Sequence, residues 1–179
     1  MPSKKYRVRI TEDKLNPSDA THFASSERHG AAVVFHGVTR DHTNSRKVIL
    51  LEYEAYVPMA KKKLEEIAKE MCSNWDILVA IDHRLGKVDI GEESLVVAVG
   101  SPHRQSAFEA ASYSVDRIKQ TVPIWKKEHF EGGEVWIGDA DGFRPLEHKS
   151  GGSKNFVVKS ESTCYCVTTS SIICDISKI

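Results

Sequence analysis

The chain is poor in the features that cross-link a protein, pin it to a membrane or draw it onto a polyanion. It has four cysteines in 179 residues. Cys72 stands alone, while Cys164, Cys166 and Cys174 fall close together near the end of the sequence. That is neither a disulfide framework nor a spaced zinc box, so reduced thiols and no metal site are expected. No apolar run approaches the ~20 residues of a membrane span, and MPSKKYRVRITEDK lacks the apolar stretch of a secretory signal. These absences point to a soluble protein of the cytosol. Net charge is missing too, since 25 Lys and Arg balance 25 Asp and Glu. Without a global positive field there is no general attraction to nucleic acid or an acidic membrane, and any basic site must be local.

What is present is a mixed α and β pattern. Tyr6, Val8 and Ile10 alternate as a half-buried strand, and Asn16-Pro17-Ser18 supplies cap chemistry for a helix that stops near Gly30. AAVVF at 31–35, VILLEYEAY at 48–56, ILVAI at 77–81 and LVVAV at 95–99 read as strands, the last two joined by a loop carrying Gly86 and Gly91. Pro58 begins a helix with Leu64, Ile67, Met71 and Trp75 at helical spacing, and its Lys61–Lys63 run pairs with Glu65 and Glu66 as a solvated face. A third helix, about 103–121, puts Phe108, Ala111, Val115 and Ile118 on one stripe. KKEHF and EVWI flank Glu131-Gly132-Gly133, a hairpin signal. Hairpins and helical crossovers both occur, which favours an α+β fold with a mixed, largely antiparallel sheet. Residues 1–147 are expected to form one domain. HKSGGSK then has linker composition, and 148–179 reads as a poorly ordered tail in which FVV and CYCV can make a short strand pair.

The chemistry concentrates between His103 and Glu128, where Arg104, Arg117, Lys119, Lys126 and Lys127 outnumber Glu109, Asp116 and Glu128. His103 and Arg104 sit where a strand hands over to a helix, so free backbone N–H groups and an arginine would face an anion such as phosphate; the alternative is a solvated helix start. Lys119 and Lys126 flank Pro123-Ile124-Trp125, a turn that can fold two ammonium groups toward one shielded pocket; the alternative is a lysine at a helix C-terminus and two lysines alternating across a strand. Arg40, in the loop after a buried strand, is placed for ligand binding. His36 and His42 look structural or solvated. His83 and Arg84 either support a site or end a strand, and Cys72, with no histidine partner, reads as a packing thiol.

Five segments in order resemble the large, catalytic subunit of molybdopterin synthase: FHGVTR at 35–40, LEYEAYVPMA at 51–60, DHRLGKV at 82–88, SPHRQSAFEA at 101–110 and DRIKQTVPIWKKE at 116–128. The likeness runs from Arg7 to Ile137. It implies an α/β-hammerhead single domain and the transfer of two sulfurs onto cyclic pyranopterin monophosphate to form molybdopterin. The sulfur would come from a small ubiquitin-like subunit with a C-terminal Gly-Gly thiocarboxylate. The glycine pairs here, Gly132-Gly133 and Gly151-Gly152, are internal, so this chain is expected to receive the carrier rather than be it. A heterotetramer is implied, built on a homodimer of this chain, with no cofactor. Matched by motif, Arg40, His103 and Arg104 would hold phosphate and pterin. Lys119 and Lys126 would be catalytic, and Lys127 and Glu128 would complete the pocket. The chain departs from the family after Ile137, where Gly138-Asp139-Ala140-Asp141 replaces a basic stretch and Arg144 is the candidate substitute.

Helix geometry adds a constraint. Fifteen steps from Arg104 to Lys119 at ~1.5 Å each span roughly 22 Å, more than a pterin phosphate bridges. His103 and Arg104 are therefore expected to serve the neighbouring protomer's pocket across a two-fold axis. Two other readings stay open: a phosphate-sensing module without catalysis, and a Schiff-base lysine enzyme acting on a carbonyl phosphate.

Overall fold

A computed structural model describes residues 4–137 and the backbone of two short strands, 158–160 and 163–165. Nine strands and three helices make up the first segment: β1 (Tyr6–Thr11), α1 (Pro17–Ala24), β2 (Ala31–Val38), β3 (His42–Thr43), β4 (Arg46–Ala55), α2 (Val57–Asn74), β5 (Leu78–Arg84), β6 (Gly86–Asp89), β7 (Glu93–Ser101), α3 (Arg104–Thr121), β8 (Ile124–Phe130) and β9 (Gly133–Ile137). They build two sheets. One runs β1-β5-β7-β2; the other runs β3-β4-β8-β9, with β6 also paired to β4. Only β1 and β5 pair in parallel, so the α+β expectation with a mixed, largely antiparallel arrangement is borne out.

The first sheet is covered on both faces. Val79, Ile81, Val97 and Val99 meet Leu64, Ile67 and Met71 of α2 and Ala110, Ala111 and Ile118 of α3. The alternate residues Ala80, Val96 and Ala98 meet Ala20 and Ala24 of α1. Burial on both sides explains why ILVAI and LVVAV are continuous apolar runs rather than alternating ones. Each fully buried large side chain, such as Leu64 at 0% exposure, contributes roughly 2 kcal/mol of transfer free energy.

Three expectations need correction. The first helix ends at Ala24, not near Gly30: the chain leaves helical geometry at Ser25, whose N–H closes onto Thr21 and His22. The segment expected to be a loop carrying Gly86 and Gly91 contains β6, because Gly86, at φ 73, turns the chain out of the first sheet so that Gly86–Asp89 pairs with β4 in the second. Phe108 is 63% exposed; the buried face of α3 is Ala107, Ala110, Ala111 and Ser114, small residues that let the helix approach the sheet closely, with Ile118 beyond them. The β8–β9 hairpin forms as expected around Glu131 and Gly132.

Residues 145–179 form a separate unit. In it β10 (Val158–Ser160) pairs antiparallel with β11 (Thr163–Tyr165), two residues displaced from the pairing anticipated at FVV. The 147/148 boundary, the stretch 138–141, Arg144, Cys166 and Cys174 lie outside the described residues. Among the described residues no helix is long and apolar enough to cross a membrane.

Candidate active site

The register of β8 decides which of the candidate residues meet. Lys126 lies opposite Tyr53, Lys127 opposite Glu52 and Glu128 opposite Leu51. Side chains alternate along a strand, so Lys126, Glu128 and Tyr53 share one face and Lys127 takes the other. On the first face Lys126 Nζ forms an ion pair with Glu128 Oε1 at 2.9 Å, the lysine side chain 35% exposed and the glutamate 2%. The pairing compensates a charge that burial alone would make costly. The second carboxylate oxygen, Oε2, is buried without a hydrogen-bond partner.

Tyr53 carries this cluster across to the first sheet. Its ring stands edge-on to that of His83, centroids 5.4 Å apart and planes at 74°. Burial pushes the Tyr53 hydroxyl pKa up, opposed by a bond with Ser94 and by the nearby Lys126 charge. Burial also lowers the His83 pKa to about 4, against the opposing pull of its bond to the Arg84 carbonyl. That bond is 2.8 Å from Nδ1. A carbonyl only accepts, so Nδ1 carries the hydrogen and the ring is neutral at neutral pH.

On the opposite face of β8, Lys127 Nζ lies 4.6 Å from the Trp136 ring centroid and 3.3 Å from Glu134. His129 bridges Glu52 at 3.0 Å and Glu134 at 3.3 Å. Lys127 thus belongs to a separate, partly buried ion network with Glu52, Glu134 and His129 and is not brought to Lys126. Trp125, 45% exposed, also leaves Lys126 by alternation. Of the apolar turn, Ile124 shares the Lys126 face of the sheet, which also carries Tyr53 and Glu128.

The other candidates are distributed between two ends of the first sheet. Only Pro102 and His103 separate β7 from α3, and α3 packs back on β7 and β2. The helix therefore runs antiparallel to β7 and delivers Lys119, exposed on its last turn, toward the Glu93–Leu95 end of that strand. β2 pairs with β7 so that Val38 meets Glu93, which puts Arg40 at the same end. Arg40 is exposed, but its loop is tied down: Thr39 N–H donates to the Glu92 carbonyl at 2.9 Å, and Gly91 N–H donates to the Thr39 carbonyl at 2.9 Å. His83 pairs with Leu95, so the chain of contacts Lys126–Tyr53–His83 reaches this end as well.

His103 and Arg104 are at the far end, beyond Ser101, which pairs with Ala31. Gly30 is required there, since a Cβ on it would lie 2.9 Å from the Pro102 carbonyl oxygen. His103 occupies the N-cap with extended backbone and makes no side-chain cap bond; it is exposed, as is Arg104. Along α3 the two ends are separated by roughly 22 Å at ~1.5 Å per residue. The structure thus gathers Arg40, Lys119, Lys126 and Glu128 at one end and sets His103 and Arg104 apart.

Sequence reasoning missed Tyr53 and Ser94. Tyr53 was visible only as one residue of an alternating strand, and its partnership with Lys126 depends on a β4–β8 register that no local pattern specifies. The remaining thiol candidate, Cys72, is half-buried; burial raises its pKa, consistent with packing rather than nucleophilic use.

An α+β chain that brings Arg40 and Lys119 to one end of its first sheet and pairs Lys126 with a buried carboxylate has the equipment of an enzyme subunit acting on a small anionic substrate. A family model described as MoaE protein matches residues 10–121. The molybdopterin synthase catalytic subunit of Bacillus subtilis is 46% identical over 134 residues, 74% of this chain and 85% of that protein. The crystal structure of molybdopterin synthase from Staphylococcus aureus superposes with a TM-score of 0.70 at 41% identity, covering 75% of this chain and 98% of that one. A complex of subunits 1 and 2 of molybdopterin-converting factor from Helicobacter pylori has a TM-score of 0.59 at 19% identity, over 76% of this chain and 92% of that one, a likeness of fold alone. The chain belongs to the MoaE family, the catalytic subunits of molybdopterin synthase. Its activity is sulfur transfer in molybdenum cofactor biosynthesis.

Proposed function

We propose that this chain works with a small sulfur-carrier subunit. In that assembly it moves two sulfurs from the carrier's C-terminal Gly-Gly thiocarboxylate onto cyclic pyranopterin monophosphate. The observation that supports the reading is the pairing of Lys126 with the buried Glu128, with Arg40 and Lys119 delivered by β2 and α3 to the end of the first sheet that Tyr53 and His83 link to that pair. A thiocarboxylate and a phosphate are both anions, and neither would dwell at a site of neutral or negative charge. The H. pylori structure is named as a complex of two subunits, and the same division of labour is inferred here. A cytosolic setting suits an enzyme whose half-buried Cys72 is a free thiol.

Roles follow from placement. Lys126, held by Glu128, is a fixed cation suited to stabilising negative charge as sulfur adds to a substrate carbon. Lys119, exposed at the helix end, is free to reach a reacting atom and serves as general acid or base while oxygen departs. Arg40 holds phosphate from its anchored loop. His103 and Arg104, with the free N–H groups of the α3 N-terminus, complete the pterin phosphate site of a second copy of the chain across a two-fold axis. Lys127 acts at the margin of the pocket, through its contact with Trp136.

Reconstitution tests the proposal. Purified chain, thiocarboxylated small subunit and cyclic pyranopterin monophosphate are expected to yield dithiolene, and the Lys119→Ala variant to yield none while still binding the small subunit. Unimpaired turnover by Lys119→Ala would sink the assignment.

A further inference from the structure

We propose that Arg84 is a positioning residue for the phosphate contact, fixing Glu92 and through it the loop that presents Arg40. The inference rests on the reading of Arg40 as a phosphate ligand and names a residue that reading does not use.

Three observations carry it, the first being how the loop is held. β2 is an edge strand of the first sheet, and its register against β7 shifts between Gly37 and Val38, an irregularity of the kind that re-aims a strand end beside a site. Beyond it, Thr39 exchanges two hydrogen bonds with the turn that precedes β7. Its N–H donates to the Glu92 carbonyl and its carbonyl accepts from Gly91 N–H, each at 2.9 Å. Thr39 is buried, and Arg40 is the next residue. Secondly, that turn is tight: Glu92 N–H donates back to the Asp89 carbonyl at 3.1 Å, and Gly91, at φ 83, takes the position that needs a positive φ. Thirdly, Arg84 grips the turn on both sides. One guanidinium nitrogen donates to Glu92 Oε2 at 2.6 Å and another to the Lys87 carbonyl at 2.9 Å. The ion pair is largely desolvated, its side chains 11% and 20% exposed, whereas Lys14, which reaches the other oxygen of Glu92, is 75% exposed.

Restraint passes from a side chain to a backbone and on to a second side chain. Arg84 closes β5 and pairs with Thr11 of β1, so its own position is set by the first sheet. Its fork ties β6 and the end of the turn to that anchor. Without it Glu92 keeps only an exposed lysine, whose attraction water and salt screen, and the turn that clasps Thr39 loosens. On the other side of Arg40, the Asp41 carbonyl still accepts from Val48 N–H at 2.8 Å. Arg40 would then hang from one anchor in place of two. A ligand arm that must be ordered on binding costs affinity, and the loss falls on substrate and transition state alike. The effect belongs in KM for the pterin, with kcat nearly kept. Arg84 acts through Arg40 and need not touch substrate.

The test uses the reconstituted enzyme with the full chain, saturating thiocarboxylated small subunit and varied cyclic pyranopterin monophosphate. Arg84→Gln is expected to raise KM about tenfold and to change kcat less than about twofold. Arg84→Lys keeps a charge beside Glu92, though not the second bond, and should hold KM within about threefold of the parent. A thermal melt and small-subunit binding verify folding; if Arg84→Gln does not fold, Glu92→Gln, which removes the charge and keeps the size, carries the same expectation. In an Arg40→Ala background, adding Arg84→Gln should raise KM no further, because the two act in series. A KM within about twofold of the parent in the folded variant overturns the inference, as does a loss that is fully additive with Arg40→Ala or that falls on kcat alone. Lys14→Ala raising KM as much as Arg84→Gln overturns it too, since the exposed pair would then supply the restraint. Arg40→Ala run alongside separates the layers. An unchanged KM for Arg40→Ala overturns the phosphate reading and with it any role for Arg84. A raised KM for Arg40→Ala beside an unimpaired Arg84→Gln overturns the Arg84 inference alone.

Discussion

Two adjacent lysines on β8 show how much depends on the parity of a single position. Lys126 is turned toward a carboxylate that is 2% exposed, whereas Lys127 is turned toward Trp136 and the exposed Glu134. The Lys127 charge is spent on Glu52, Glu134 and the Trp136 ring, on the face away from Glu128, while a cation fixed beside the reacting atoms is worth much more to a developing anion. Lys126→Ala is accordingly expected to lower kcat by at least about a hundredfold, and Lys127→Ala by less than about tenfold; steady-state rates of the two variants with the same carrier decide it. Equal losses would mean that the pocket wraps both faces of the strand. His83 supplies a second prediction, on stability. Its pKa falls from 6.5 unfolded to about 4 folded because burial disfavours the charged ring. Between those values the unfolded chain binds more protons, so stability drops as pH falls through this window and is fully present above 6.5. The difference amounts to about 2 kcal/mol between pH 7 and pH 5. Urea unfolding at the two pH values should show it, and His83→Gln should flatten the dependence. Glu92, which its bonds to Lys14 and Arg84 hold at about 2, loses its contribution only below the 4.5 of a free glutamate, outside that comparison.

Elements bring the site together by packing, and the tightest contact lies far from any lysine. A Cβ on Gly100 of β7 would fall 1.8 Å from the Ala24 carbonyl oxygen at the end of α1, and 2.8 Å from His29 Nδ1. Backbone cannot yield there without lifting α1 from the sheet, so Gly100→Ala should cost on the order of 3 kcal/mol or more and lower Tm by roughly 10 °C. A thermal melt showing a shift of only a degree or two would mean that the helix end gives way freely. The same packing explains what the amino-acid pattern could and could not convey. Continuous runs such as LVVAV are legible as strands because two covered faces demand apolar residues at every position, and EGG between KKEHF and EVWI is legible because a hairpin turn needs positive φ. Gly86 carried a similar signal, but its effect was to pass the chain from one sheet to the other, and a sheet change leaves no local trace. Phe108 fell on a helical stripe by spacing, yet the sheet accepts only the small face of α3, a preference set by the partner and not by the helix. Among site residues, Lys126 and Glu128 could be singled out by charge and motif. That they are neighbours through i, i+2 alternation, and that Lys127 is not, follows once β8 is known to be a strand. Tyr53 required the cross-strand register and was beyond reach.

At the scale of the molecule, the binding groups are divided between the two ends of one sheet. β7 and α3 run the same length in opposite directions, so the strand-to-helix turn at Pro102-His103 and the helix end at Lys119 are as far apart as the fold permits. In the proposed two-fold dimer each chain offers half of a pterin site at each end, and the dimer joins unlike halves into two whole sites. This arrangement has an arithmetic consequence. Pairing an Arg104→Ala chain with a Lys119→Ala chain puts both defects in one site and leaves the other with Lys119 from the first chain and Arg104 from the second, both intact. Random assortment makes half of the dimers mixed, each with one good site of two, so a one-to-one co-expressed pool should recover about a quarter of the parental activity although each variant alone is inactive. Mixed dimers isolated through two different tags should reach about half. If each site were built within one chain, every site in either preparation would carry a defect, and the pool would remain as inactive as the separate variants.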